Sequence, residues 1–169
     1  AGLLFYSEEM NQRAKEHMRI EGELRQALLN GELMLYYQPK VSLRSGRIVG
    51  AEALLRWRPA GQPEVPPVEF IPIAEESDLI LKLGEWALNK ACKDALEWPA
   101  SVRVAVNVSA AQFTHSEFAD TVTQALQASG LEPGRLELEL TESVFMGDSE
   151  TVEETFQTLK KLGIRLALD

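Results

Sequence analysis

The chain has 169 residues, of which 45% are hydrophobic and 25% charged, and its formal net charge at pH 7 is -9. That is enough for one domain with a sizeable core, and the acidic balance argues against binding of nucleic acid polymers. A single cysteine and two histidines favour a cytoplasmic location and leave oxygen atoms as the expected ligands of any metal. No apolar run approaches the roughly 20 residues of a membrane span, so no membrane contact is expected from this segment.

The predicted elements alternate between strands and helices. Polar residues from about Ser7 to Asn30 predict a first helix, whose broken heptad (Met10, Ala14, Leu24, Leu28) fits either a solvated helix or a coiled-coil linker. Strands are predicted over 33–41, 47–57, 103–108, 136–140 and 165–169. Helices are predicted over 68–76 and 79–98, from a Thr114/Glu117 capping box to Ser129, and from a cap at Asp148 or Ser149 to Gly163.

This order of elements predicts an α/β fold with a largely parallel sheet, whose first two strands form a hairpin. The strands lack clean alternation of apolar and polar residues, which is typical of a sheet covered on both faces. An open Rossmann sheet is the competing architecture, but the sequence has neither a GxGxxG motif nor a P-loop.

Polar residues interrupt the apolar strands at positions that suggest a site. Buried carboxylates are costly unless a metal or a partner compensates them. In an α/β barrel, oxygen ligands near the ends of successive strands can build a site for a hard cation. The candidates in the four strands concerned are Glu52, Asn107, Glu139 and Asp169.

Each candidate taken singly has a plainer interpretation. An Asn or Asp at a strand end can make a turn or cap a helix. Glu139 can be an outward-facing partner of Glu137, because both lie on one strand face, and Glu142 can simply begin the next loop. Arg56 can form an ion pair with Glu52 or a neighbour.

Several segments resemble the EAL domain, a cyclic di-GMP phosphodiesterase. They are, in order, YYQPKV, AEALLRW, VPPVEFIPIAEES, VNVSAAQF, LELELTES and LKKLGIRLALD. The resemblance runs from about residue 23 to the last residue, so we expect 23–169 to be the N-terminal part of an EAL domain. The preceding residues 1–22 resemble the end of a GGDEF domain followed by a linker helix.

The resemblance implies a TIM-like (β/α)8 barrel that hydrolyses cyclic di-GMP to linear pGpG with two divalent cations, Mg²⁺ or Mn²⁺. The implied metal ligands are Glu52, Asn107, Glu139 and Asp169, the last shared between both ions. The implied contacts to the dinucleotide are Gln38, Leu54 and Arg56, with Arg56 at a phosphate. Glu142 would brace the loop after the fifth barrel strand.

The family pattern continues beyond what this sequence contains. Asp169 would begin a DDFGTG loop, followed by three more strands that carry a second Asp, a lysine and a further metal-binding glutamate. With about five strands present, we expect a fragment that is inactive alone, or one completed by another chain. The parent protein is expected to carry other signalling domains and could have a membrane anchor, and a homodimer stays open.

Two other functions compete with the phosphodiesterase. A non-catalytic cyclic di-GMP receptor module would keep the fold, although such modules usually lose ligands of the kind that Glu52 and Asn107 provide. An enolase-type barrel metalloenzyme would also place carboxylates on successive strands, but it gives no reason for the EALLRW segment.

Overall fold

A computed structural model describes residues 8–146 and 149–168. The chain divides into two compact units. One contains the described residues up to Met34 together with Arg56–Leu79, and the other contains Leu35–Leu55 with the described residues from Ile80 onward. No helix in the described ranges is long and apolar enough to cross a membrane.

The first unit is built around two helices, α1 (Glu8–Asn30) and α2 (Pro67–Glu76). The buried side chains of α1 are Ile20, Leu24 and Ala27, whose spacing of four and three residues puts them on one face of a helix. The heptad considered from the sequence is not the buried stripe, because Met10 is 52% exposed.

Within the described residues the sheet has five strands in the sequential order β1-β2-β3-β4-β5. They are β1 (Leu33–Val41), β2 (Ile48–Trp57), β3 (Arg103–Val108), β4 (Leu136–Leu140) and β5 (Arg165–Leu168). From β2 to β5 every neighbouring pair is parallel. A doubly wound Rossmann sheet reverses its strand order at a switch point, and this sheet does not, so the order is that of an α/β barrel.

The first two strands form the predicted hairpin. Only six residues connect them, and within that connection the Ser42 backbone N–H donates to the Arg47 carbonyl at 2.9 Å. A parallel pair would need a crossover of a dozen residues or more. The hairpin therefore places β1 at the edge of the sheet beside β2.

The core of the second unit lies between one face of the sheet and its helices. These helices are α3 (Leu79–Ala95), α4 (Ala110–Phe113), α5 (Phe118–Ser129) and α6 (Ser149–Leu162). In β4, the three leucines are buried and the two glutamates between them are partly exposed. Clean alternation is therefore present in this strand, contrary to the prediction, because the helices cover the leucine face and the glutamate face is polar.

The predicted start of α5 is wrong. The helix begins at Phe118, its N-cap is Glu117, and no side chain caps it. The capping box lies earlier in the chain: the Ser109 hydroxyl accepts from the Gln112 backbone N–H, and the Gln112 side-chain oxygen accepts from the Ser109 N–H. Thr114 instead donates its hydroxyl to the Ala110 carbonyl at 2.8 Å. Gly130 ends α5, as predicted, and has a φ of 77°.

The cap predicted for α6 falls at the edge of the described ranges. The structure begins this helix at Ser149, and Asp148 lies outside the described residues. The end of α6 is as predicted, with Lys160 and Lys161 in the last turn and Gly163 following at φ of 87°. Cationic side chains at this end complement the partial negative charge of the helix terminus.

Candidate metal and substrate site

A hydrogen bond between neighbouring strands joins two of the predicted ligands. The Asn107 side-chain nitrogen donates to a carboxylate oxygen of Glu52 at 2.7 Å. Glu52 lies in the middle of β2 rather than at its end, but the pairing of β2 with β3 extends only to Ala53. Glu52 is therefore next to the end of the paired segment, which brings it beside Asn107 near the end of β3.

Glu139 lies on the next strand along. Its Cα is the register partner of the Asn107 Cα across the β3–β4 pair. Neighbouring strands are about 4.8 Å apart, and directly paired residues of a parallel sheet project from the same face. Three of the four predicted ligands thus come from adjacent strands, with Asn107 between the two carboxylates.

Lys40 of β1 reaches this group from the first strand. Its ammonium nitrogen contacts a carboxylate oxygen of Glu139 and lies 3.1 Å from one of Glu137. The Glu137 and Glu139 side chains are 17% and 12% exposed. Two carboxylates on one face of a strand, this far from solvent, need a compensating charge, and Lys40 provides it.

The protonation of Lys40 follows from these contacts. Its partial burial acts to lower the pKa of the ammonium, but the hydrogen bonds that Lys40 donates to Glu139 and Glu137 outweigh burial, and the pKa of Lys40 is raised above its usual value. The side chain therefore stays charged across the physiological pH range. Its charge is part of the site at neutral pH.

The donor atoms present fit a hard divalent cation. Two carboxylates and an amide supply only oxygen ligands, which suit Mg²⁺ or Mn²⁺ better than zinc. Within 8–146 and 149–168, no three His, Cys, Asp or Glu residues are grouped so as to hold a metal. Asn107 is not of those residue types, and the fourth predicted ligand, Asp169, lies outside the described residues.

The other predicted site residues differ in their surroundings. Gln38 is exposed on β1 and Leu54 is partly buried on β2. Arg56 belongs to the other compact unit, where its guanidinium lies 3.6 Å from Glu64. The plainer interpretation of Arg56, an ion pair with a neighbour, therefore describes one of its contacts. Glu142 is exposed and begins a 3₁₀ turn, Glu142–Met146, soon after β4.

The sequence-based prediction assigned no role to Lys40, which contacts Glu137 and Glu139, or to Gln112, which completes the capping box after β3. Lys40 could have been found from the period of two in a strand, which puts it on the same side of β1 as Gln38. Gln112 could have been found from the S-x-x-Q spacing of a capping box, which begins two residues after Asn107. Both are polar residues inside the segments YYQPKV and VNVSAAQF.

Comparison with known proteins finds relatives that match almost the whole chain. The chain is 39% identical over 172 residues to the bifunctional diguanylate cyclase/cyclic di-GMP phosphodiesterase MucR of Pseudomonas aeruginosa, covering 99% of this chain and 25% of MucR. It is 36% identical over 167 residues to the cyclic di-GMP phosphodiesterase PdeR of Escherichia coli, covering 97% of this chain and 25% of PdeR. The chain thus spans about a quarter of the length of each.

A solved structure extends the likeness to three dimensions. The cyclic di-GMP complex of the PaMucR phosphodiesterase has a TM-score of 0.84 and 39% sequence identity, covering 89% of this chain and 63% of that one. The family match itself runs over residues 21–169 and is to the EAL domain. This chain belongs to the EAL domain family, and its five strands are part of that family's TIM-like barrel.

Proposed function

We propose that this chain is part of a cyclic di-GMP phosphodiesterase that hydrolyses its substrate to linear pGpG. The observation that carries the proposal is the row Glu52, Asn107 and Glu139 on three adjacent parallel strands, with the first two hydrogen-bonded. Its relatives MucR and PdeR both have names that include cyclic di-GMP phosphodiesterase.

In this proposal, Glu52, Asn107 and Glu139 are ligands of two divalent cations, Mg²⁺ or Mn²⁺, together with Asp169. When bound, such cations lower the pKa of water and stabilise negative charge on phosphate oxygens. The hydrogen bond from Asn107 fixes one oxygen of Glu52 and leaves the amide oxygen of Asn107 as a further ligand. The pair is therefore held together before a metal arrives, which lowers the entropy lost on binding.

Substrate binding is assigned to residues on β1 and β2. Gln38 and Leu54 would contact the dinucleotide, and Arg56 would meet a phosphate, since a guanidinium matches the geometry of phosphate oxygens. Cations bound at these ligands would also explain how a chain with a net charge of -9 could hold an anionic ligand. Glu142 would brace the loop after the fifth barrel strand, as the resemblance implies.

The decisive experiment uses the complete protein that contains this chain. It is incubated with Mg²⁺ and cyclic di-GMP, and pGpG is measured by chromatography. Glu52→Gln should abolish hydrolysis, because it removes a charged ligand with little change in volume. Glu97→Gln, at an exposed position near the end of α3, is the matched control and should hydrolyse normally. Undiminished turnover by Glu52→Gln would contradict the role of Glu52.

Binding without product would support the competing assignment, a receptor module. The 169-residue chain alone should give no pGpG, because the resemblance places further ligands in later strands. Turnover by the chain alone would show that those strands are not required.

The remaining expectations stay predictions. They are a domain division after residue 22, a GGDEF-like segment before it, a cytoplasmic location, a homodimer and other signalling domains in the parent protein. Helix α1 runs without interruption through the predicted division, from Glu8 to Asn30. A rigid helix of this kind would suit the transmission of a signal into the domain that follows.

A further inference from the structure

We propose that Lys40 is an internal counter-ion that competes with the divalent cation for Glu139. This inference rests on the proposed function, because it takes Glu139 as a metal ligand. It adds that a side chain of β1 sets how tightly the site holds its metal.

The contacts of Lys40 place it where a cation would act. Its ammonium contacts one carboxylate oxygen of Glu139 and lies 3.1 Å from an oxygen of Glu137. A metal coordinated by Glu139 would have to share that carboxylate with the Lys40 ammonium, which already contacts it. Like charges a few ångströms apart repel strongly where solvent is largely excluded.

Glu137 is a second ion-pair partner for the Lys40 ammonium. One oxygen of Glu137 meets Lys40, and its other oxygen lies 3.9 Å from the Arg103 guanidinium. When a metal takes Glu139, the ammonium can stay on Glu137 and avoid being left without a partner. Glu137 is therefore inferred to hold Lys40 near the site in both states, so the lysine weakens metal binding without blocking it.

Replacing Lys40 with an uncharged residue should change metal affinity and stability in opposite directions. Without the ammonium, Glu139 is free of its competitor and the metal should bind more tightly. In the metal-free protein, however, Glu137 and Glu139 would then lack their shared counter-ion and stability should fall. A residue that only packs against the sheet would not raise the affinity for metal while lowering stability.

The test titrates MnCl₂ into the complete protein that contains this chain by isothermal calorimetry and follows thermal unfolding of its metal-free and metal-loaded forms. Lys40→Met, which removes the charge and keeps most of the length of the side chain, should bind Mn²⁺ about tenfold more tightly or better. Lys40→Arg keeps the charge and should stay close to the unaltered chain. Lys93→Met, at an exposed position on α3, makes the same change in net charge and should leave the affinity unchanged.

The outcomes separate this inference from the proposed function. Equal Mn²⁺ affinity in the unaltered chain and Lys40→Met, with binding lost in Glu139→Gln, would overturn the role of Lys40 and leave the metal site intact. Binding by Lys40→Met alone would support the competition in its strongest form. Absence of binding in both would overturn the competition and the metal site together. Lys40→Gln serves as a second neutral variant if Lys40→Met fails to fold.

Discussion

Gly84 on α3 is the position where one added methyl group should do most damage to the second unit. A Cβ built on Gly84 would lie 1.7 Å from the side-chain nitrogen of Gln112 and 2.8 Å from its amide carbon. Gln112 cannot simply swing away, because it is 4% exposed and its side-chain oxygen accepts the Ser109 backbone N–H at 3.1 Å. Gly84→Ala should therefore break the capping box that follows β3.

The magnitude follows from three contributions. Forcing extra volume into a packed site costs about 1–3 kcal/mol, and losing the hydrogen bond between Gln112 and Ser109 costs about 1 kcal/mol. Replacing glycine by alanine inside a helix stabilises the folded state by about 1 kcal/mol, which offsets part of this loss. The free energy of unfolding should thus fall by about 1–3 kcal/mol, which lowers the unfolding midpoint by roughly 3–9 °C for a chain of this length.

The assay is urea unfolding followed by circular dichroism. Gly22→Ala is the control, because it lies inside α1 with nothing within 4 Å of the added atom, and it should stabilise the chain by about 0.5–1 kcal/mol. In a Gln112→Ala background, Gly84→Ala should lose its penalty, since the obstructing amide is gone. A stabilising Gly84→Ala, or an effect that simply adds to that of Gln112→Ala, would refute the steric reasoning.

Three further predictions test the core and its titrating groups. Leu138 is fully buried, so Leu138→Ala should lower the free energy of unfolding by about 2–5 kcal/mol, and a loss near zero in urea unfolding would contradict its place in the core. Burial raises the pKa of Cys92 to about 11. Iodoacetamide at pH 8 should therefore label this single cysteine only as fast as the protein unfolds. Rapid labelling of the native protein would contradict the burial of Cys92. Burial and the hydrogen bond to Asp94 raise the pKa of Tyr37, so the stability from the neutral phenol is present below pH about 10 and is lost as pH rises above it. Tyr37→Phe should be less stable than the unaltered chain at pH 8 and should show a shallower alkaline decline in denaturant titrations; parallel pH profiles would show that Tyr37 is not responsible.

The strands were the most predictable part of the fold. Three of them, β1, β3 and β4, have the bounds expected from the sequence, because runs of valine, leucine and tyrosine flanked by turn residues carry the information locally. The neighbouring positions of Asn107 and Glu139 were also expected, since residues near the carboxyl ends of adjacent parallel strands meet at one edge of a sheet.

The starts of the helices and the role of Lys40 as a counter-ion were harder to predict from the sequence. Thr114 and Glu117 have the spacing of a capping box, but Ser109 and Gln112 satisfy the same pattern, and Gln112 is buried beside Gly84. A local pattern cannot choose between two such matches. The period of two places Lys40 on the same side of β1 as Gln38, but its contact with Glu139 joins residues 99 positions apart and depends on the order of the strands.

The alternation in β4 explains how one short strand can serve both the core and the candidate site. Its leucines pack into the helix-covered core, and Glu137 and Glu139 between them lie on the opposite face. Burying these two carboxylates side by side would be unfavourable unless positive charge approached the same face, and Lys40 and Arg103 provide it. A divalent cation at Glu139 would add to that compensation. The positive side chains that stabilise the strand without metal are therefore also those that a bound metal would displace or repel. If Glu139 binds a metal as proposed, stability and metal affinity at this strand would therefore be coupled through the same few side chains.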